Sequence, residues 1–294
     1  MSSALRLRSM LFVPADSDKK LAKGTASPAD VLILDLEDSV AEARKDAARR
    51  MAAEFIAAQA ARIAPRLFVR VNPLDTPFAM ADLAAVVVPG LAGIVLPKSK
   101  SAADALRLSH ALDALEARAG LAAGSVRVVP VATETAEAML TMPSWAQVAL
   151  PRLAGITWGA EDLSAAIGAV SNRDENGAYS PLYELASALC LAAATAAGVP
   201  AIDTVHVDFR DSAGLAAACR ASRRRGFRGR LAIHPDQVPI IHEAYTPTAA
   251  ELAHAKRIVD AFAANPNAGT LNLDGTMIDR PHLTQALRTL DQAS

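Results

Sequence analysis

Short, unbroken apolar runs alternate along most of the chain with longer stretches in which apolar positions recur every three or four residues. The runs at residues 10–13, 31–36, 67–71, 93–96, 126–131, 154–157, 201–205 and 230–233 are short and lack polar alternation. Each reads as a strand buried on both faces, as in a parallel sheet. Helical periodicity fills the intervals, most clearly over 18–23, 40–64 and 102–117. Eight strand-then-helix units in sequence predict an α/β fold, a (β/α)8 TIM barrel. No GxGxxG turn follows the first strand, which argues against a dinucleotide-binding sheet. Beyond the eighth unit a helix over 249–264 leads into a polar tail with Asn265-Pro266-Asn267, Gly269, Asn272 and Gly275. It ends in Met277-Ile278-Asp279-Arg280-Pro281 and a last short helix. The expected division is a catalytic barrel over 1–245 and an extension over 246–294 that has no strand partner of its own and packs on another subunit.

Composition narrows this picture only a little. At 294 residues and 52% hydrophobic content the chain can bury a large core, and 4% aromatics with abundant alanine suits closely packed helices. Lys+Arg at 30 against Asp+Glu at 31 gives a net charge of -1, which offers no bulk attraction to nucleic acid or a membrane surface. Cys190 and Cys219 lie in alanine-rich helical runs, so both are expected to be buried thiols in a reducing, cytoplasmic setting. Leu11-Phe12-Val13 is broken at once by Pro14, so neither a signal peptide nor a membrane span is expected.

In a barrel the reactive groups gather where strands give way to helices. Those positions carry Pro14-Ala15-Asp16, Asp35-Leu36-Glu37-Asp38, Arg70-Val71-Asn72, Pro97-Lys98-Ser99, Glu134, Glu161-Asp162, Asp203-Thr204 and His234-Pro235. Glu134 and Asp162 end consecutive strands, and two carboxylates so delivered suit Mg²⁺, with Mn²⁺ as a substitute, because such an ion keeps its remaining positions for water and substrate. For either acid alone the plainer reading is a helix-start carboxylate. Arg70, inside an apolar strand, needs a carboxylate or an anionic ligand, and Asp35 needs a cation or hydrogen-bond donors. Glu37 and Asp38 either cap the next helix or order water around a metal. Lys98 is either a solvated loop lysine or a phosphate contact. His234 reads as structural, and the basic run from Arg220 to Arg230 reads as a solvated helix end.

Seven segments, in order, carry a resemblance: Arg8-Ser9-Met10-Leu11-Phe12-Val13-Pro14, Asp35-Leu36-Glu37-Asp38-Ser39-Val40, Arg70-Val71-Asn72, Leu96-Pro97-Lys98, Glu134-Thr135-Ala136, Gly159-Ala160-Glu161-Asp162-Leu163 and Ile233-His234-Pro235. The chain resembles the citrate lyase β-subunit-like proteins of the HpcH/HpaI aldolase superfamily, which includes malyl-CoA and citramalyl-CoA lyases. The resemblance implies a Mg²⁺-dependent carbon–carbon lyase acting on a CoA thioester and yielding a 2-oxo acid, in a homotrimer or hexamer. It implies Glu134 and Asp162 as metal ligands, and Arg70 at the substrate carboxylate and developing oxyanion. Glu37 and Asp38 would order metal-bound water, Arg8, Ser9, Pro14 and Lys98 would lie along the CoA, and Asp279 would reach a neighbouring subunit's site. A CoA-independent aldolase of 4-hydroxy-2-oxo acids and a citrate lyase β subunit needing an acyl-carrier partner are the alternatives.

Overall fold

Every apolar run becomes a parallel strand. In the computed structural model, which describes residues 5–61 and 64–292, these are β1 (Ser9–Pro14), β2 (Val31–Asp35), β3 (Arg66–Arg70), β4 (Leu91–Leu96), β5 (Arg127–Pro130), β6 (Ile156–Thr157), β7 (Ala201–Asp203) and β8 (Gly229–Ala232). They pair in the order β5-β4-β3-β2-β1-β8-β7-β6. Two isolated bridges, Val128 with Leu153 and Val131 with Thr157, join β5 to β6. The Ala132 N–H donates to Thr157 O and the Ala154 N–H to Val128 O, each at 2.9 Å. The result is a nearly closed (β/α)8 barrel.

Side chains of alternate strand residues point to opposite faces. Met10, Val31, Ile33, Phe68, Val95, Val129, Val131, Ile202 and Leu231 form one cluster inside the barrel. Leu32 and Leu34, equally buried, point the other way, toward the helices. Phe68 occupies the interior only because residue 93 is glycine: a Cβ there would lie 2.3 Å from the Phe68 ring and 2.7 Å from Arg127 O.

The helical layer consists of α1 (Asp18–Thr25), α2 (Lys45–Ala58), α3 (Ala79–Val86), α4 (Ala102–Ala119), α5 (Ala136–Thr141), α6 (Ala160–Ile167), α7 (Pro181–Ala196), α8 (Ser212–Arg225) and α9 (Gln237–Tyr245). The helix expected over 40–64 is corrected. It is a short 3-10 turn, Glu42–Arg44, followed by α2, and residues 62 and 63 lie outside the described ones. Its first turns are lost because the chain after β2 is tied into a loop. Asp35 accepts from the N–H groups of Glu37 at 3.0 Å and Ser39 at 3.2 Å, and the buried Lys45 ammonium donates to Leu36 O, Glu37 O and Asn72 Oδ1. Those bonds hold residues 36–39 where the site needs them.

The chain divides into two compact units, Leu5–Ile241 and one from His242 onward. In the second, α10 (Ala249–Ala264) begins with a capping box between Thr248 and Glu251. The tail was expected to lack strands; it forms an antiparallel hairpin, β9 (Thr270–Leu273) and β10 (Thr276–Asp279), before α11 (Arg280–Asp291). Asp274 and Gly275 turn it with φ of 52° and 82°, the left-handed pair that a tight hairpin demands. Ala255, Ile258, Phe262, Ile278 and Ala286 make this unit's own core. Among the described residues no helix is long and apolar enough to cross a membrane. Cys190 and Cys219 are buried, and burial raises both thiols, Cys219 to about 11.

Candidate active site and metal centre

The carboxyl ends of β2 to β6 bring one arginine, one lysine and five acids together. Arg70, the last residue of β3, forks onto Asp35, the last residue of β2: Nε to Oδ1 and Nη2 to Oδ2, both at 2.7 Å. Its Nη1 lies 2.9 Å from Glu37 Oε2, though off the hydrogen-bonding direction, and 3.8 Å from Asp38 Oδ2. The guanidinium lies 4.7 Å from the centroid of the Phe12 ring in β1. Arg70 is thus fixed by a bidentate pair and an aromatic face, with one edge turned toward acids. The partner expected for both Asp35 and Arg70 is the other.

Glu134 follows β5 and is 4% exposed. Its Oε2 accepts from the backbone N–H of Lys98 at 2.5 Å. The next residue, Thr135, caps α5 by accepting from Ala138 N at 3.1 Å. Gly159 makes room for Glu134: a Cβ at 159 would lie 2.8 Å from Glu134 Cγ and 3.0 Å from Oε1. Asp162, in the first turn of α6, lies 3.2 Å from Lys98 Nζ through Oδ1. The neighbouring Glu161 is turned aside, accepting from Asn172 Nδ2 at 2.8 Å. The two acids expected to form a pair therefore meet around one residue. The Lys98 ammonium also donates to Glu37 and lies 3.3 Å from Asp38 Oδ2.

The charges of this cluster do not balance. Asp35, Glu37, Asp38, Glu134 and Asp162 bring up to five negative charges against two positive ones. Burial, with Asp162 and Glu37 nearby, pushes Glu134 well above the usual carboxylate range. Burial likewise pushes Glu37 up to about 7, despite Arg70 and Lys98, with Asp38 adding to the rise. For Arg70 and Lys98 burial disfavours the charged form, but their acid partners more than offset it and both are raised. A small hard cation relieves such an excess of anionic oxygen. Among the described residues no three acid, histidine or cysteine side chains are grouped as a ready cage. The all-oxygen pair Glu134 and Asp162, with Gly159 leaving space beside Glu134, fits an ion held by two carboxylates that reserves its other positions.

Other expected site residues go elsewhere. Arg8 and Ser9 are corrected: they lie at the amino end of β1, the opposite end of the barrel from this cluster. There Arg8 forks onto Asp30, Nε to Oδ2 at 2.9 Å and Nη2 to Oδ1 at 2.7 Å, and Ser9 Oγ accepts from Asp30 N at 3.1 Å. Pro14 does reach the rim, in register with Asp35. Lys98 is not a solvated loop lysine. His234 stacks on Phe209, with ring centroids 4.9 Å apart. The basic run is mixed, since Arg230 is buried and paired with Asp203. Asp279 caps α11, accepting from His282 N at 3.4 Å, and the His282 ring adjoins its carboxylate. Two contributors were missed. Phe12 was signalled by parity, since it shares a face with Met10 in β1, and Gly159 by its place just ahead of Asp162.

The family model described as HpcH/HpaI aldolase/citrate lyase matches residues 8–235. The citrate lyase subunit beta of Haemophilus influenzae is 34% identical over 290 residues, covering 97% of this chain and 96% of that protein. A (3S)-malyl-CoA thioesterase of Cereibacter sphaeroides is 35% identical over 291 residues, covering 97% and 94%. The crystal structure of protein CitE from Mycobacterium tuberculosis in complex with magnesium, acetoacetate and coenzyme A has a TM-score of 0.78 to this chain at 34% identity, covering 100% of this chain and 99% of that one.

Proposed function

This chain belongs to the HpcH/HpaI aldolase/citrate lyase family, and from that premise we propose that it is a Mg²⁺-dependent lyase that splits a 3-hydroxyacyl-CoA thioester of the malyl-CoA or citramalyl-CoA type into an acyl-CoA and a 2-oxo acid. The observation that carries this reading is the meeting of Glu134 and Asp162 around Lys98, beside an Arg70 fixed by Asp35. The magnesium, acetoacetate and coenzyme A bound by the Mycobacterium tuberculosis protein support the choice of metal and thioester.

Glu134 and Asp162 hold the cation. When bound, it supplies a Lewis acid for the hydroxy-acid oxygens. The protein's own groups then divide the work. A base takes the proton of the 3-hydroxyl, the bond between C2 and C3 breaks, and the electron pair passes into the thioester enolate, which is protonated to the acyl-CoA. We assign the base to Glu37, which lies buried on the same rim beside Arg70 and Lys98. Arg70 cannot swing away from Asp35, so the Nη1 edge that faces Glu37 and Asp38 offers fixed positive charge to the substrate carboxylate and the growing oxyanion. We assign Asp279, held by the α11 cap, to the site of a neighbouring copy in a homotrimer or hexamer.

The test is an assay of the purified chain with Mg²⁺ against malyl-CoA and citramalyl-CoA, following released 2-oxo acid and acyl-CoA. Release of both is expected, with loss of at least 1000-fold in kcat for Glu134→Ala and Asp162→Ala while circular dichroism stays unchanged. Full activity in either variant ends this reading. The thioesterase relative favours a second product pattern, free CoA with an intact hydroxy-diacid, which the same assay separates.

A further inference from the structure

We infer that Lys98 is a built-in counter-ion of the proposed metal centre: its ammonium gathers Glu37, Asp38 and Asp162 and competes with the divalent cation, which enters by displacing it. This rests on the metal-centred reading above. Among the described residues, Lys98 and Asp274 are the non-glycine positions with positive φ, at 48° and 52°. A left-handed residue bearing a Cβ is strained, and strain of that kind persists where its surroundings fix it. Asp274 turns a hairpin. Lys98 turns no hairpin; its conformation lets one residue serve four acids. The backbone N–H points at Glu134, at 2.5 Å, while the side chain returns over Glu37, Asp38 and Asp162. An ammonium has three donors, and here three carboxylates surround it.

A divalent cation cannot simply join this arrangement. The ammonium lies 3.2 Å from Asp162 Oδ1. A magnesium bound to the same carboxylate sits about 2.1 Å from its oxygen, so the two cations would stand a few ångströms apart in a half-buried site and repel strongly. Exchange relieves this. The Lys98 side chain is 29% exposed, so it is not walled in among the acids it serves. Lys98 is therefore a positioning residue: it holds the acids near one another before the metal arrives and sets how tightly that metal binds.

The experiment titrates wild type, Lys98→Met and Lys98→Gly with Mn²⁺ alone, reading free Mn²⁺ by electron paramagnetic resonance, and melts each protein with EDTA and with Mn²⁺. The glycine variant accepts φ of 48° without strain, so the test survives a failure of the methionine variant to fold. Both variants are expected to bind Mn²⁺ at least tenfold more tightly than wild type, to melt lower in EDTA, and to gain more from Mn²⁺. Folded variants whose Mn²⁺ affinity is unchanged or weaker overturn the inference while leaving the metal centre standing. A wild type that binds no Mn²⁺ overturns both.

Discussion

At the scale of single residues, the site depends as much on what is missing at position 159 as on the acids. The Gly159 N–H donates to Thr133 Oγ1 at 3.3 Å, so its backbone is held against the turn that presents Glu134. Gly159→Ala places a methyl 2.8 Å from Glu134 Cγ and forces that carboxylate aside. We expect Mn²⁺ affinity to fall at least tenfold with little change in melting temperature, measured by titration and calorimetry; unchanged affinity would show that Glu134 can bind from another rotamer. The rim position of Glu134 and Asp162 was legible in the sequence because each follows an apolar run by a few residues, and in a barrel that location fixes which end of the molecule a residue faces. Arg8 shows the converse: motif likeness placed it at the ligand, but it precedes its strand, and chain direction puts it at the other end. The position of Lys98 was not legible, because no sequence signal marks a lysine for a left-handed backbone.

At the scale of elements, α4 is fastened to the strands beside it by one buried acid. Glu116 accepts from the N–H groups of Gly124 at 2.8 Å and Val126 at 2.7 Å, and from both terminal nitrogens of Arg152, at 2.6 Å each. Burial opposes the charge, yet these bonds win and lower Glu116 from 4.5 to about 2. A depressed carboxylate stabilises the fold above its unfolded value and loses that contribution as pH falls through the folded one. Glu116→Gln should therefore cost roughly 2–3 kcal/mol at pH 7, because Arg152 loses its buried carboxylate and keeps only Asp113 and Val126 O. The gap in urea midpoint between the variant and wild type should narrow as pH drops from about 4.5 to about 2; a gap constant across that range would refute the assignment. Periodicity found the strands and helices but overlooked the hairpin of β9 and β10, whose strands are four residues each, too short for the alternation in β9 to stand out. The signal available there was Asp274-Gly275, a turn pair favoured in tight hairpins.

At the scale of the whole molecule, the role proposed for Asp279 ties the C-terminal unit to assembly. If Asp279 serves a neighbour's site, a protein inactive through Asp279→Asn and one inactive through Glu134→Ala should restore each other. Unfolded together and refolded as mixed oligomers, they should recover up to about a quarter of wild-type activity, since random mixing leaves that share of sites with both acids intact. No recovery in confirmed mixed oligomers would confine Asp279 to capping α11. The barrel also has an uneven circumference. Between β5 and β6 it is joined by isolated bridges, and β6 itself contributes two residues. Glu134 and Asp162 stand on either side of that thin seam. The cation proposed to grip both acids would act as a buckle on the hoop, so that chemistry and the tightness of the wall would be secured by the same fastening.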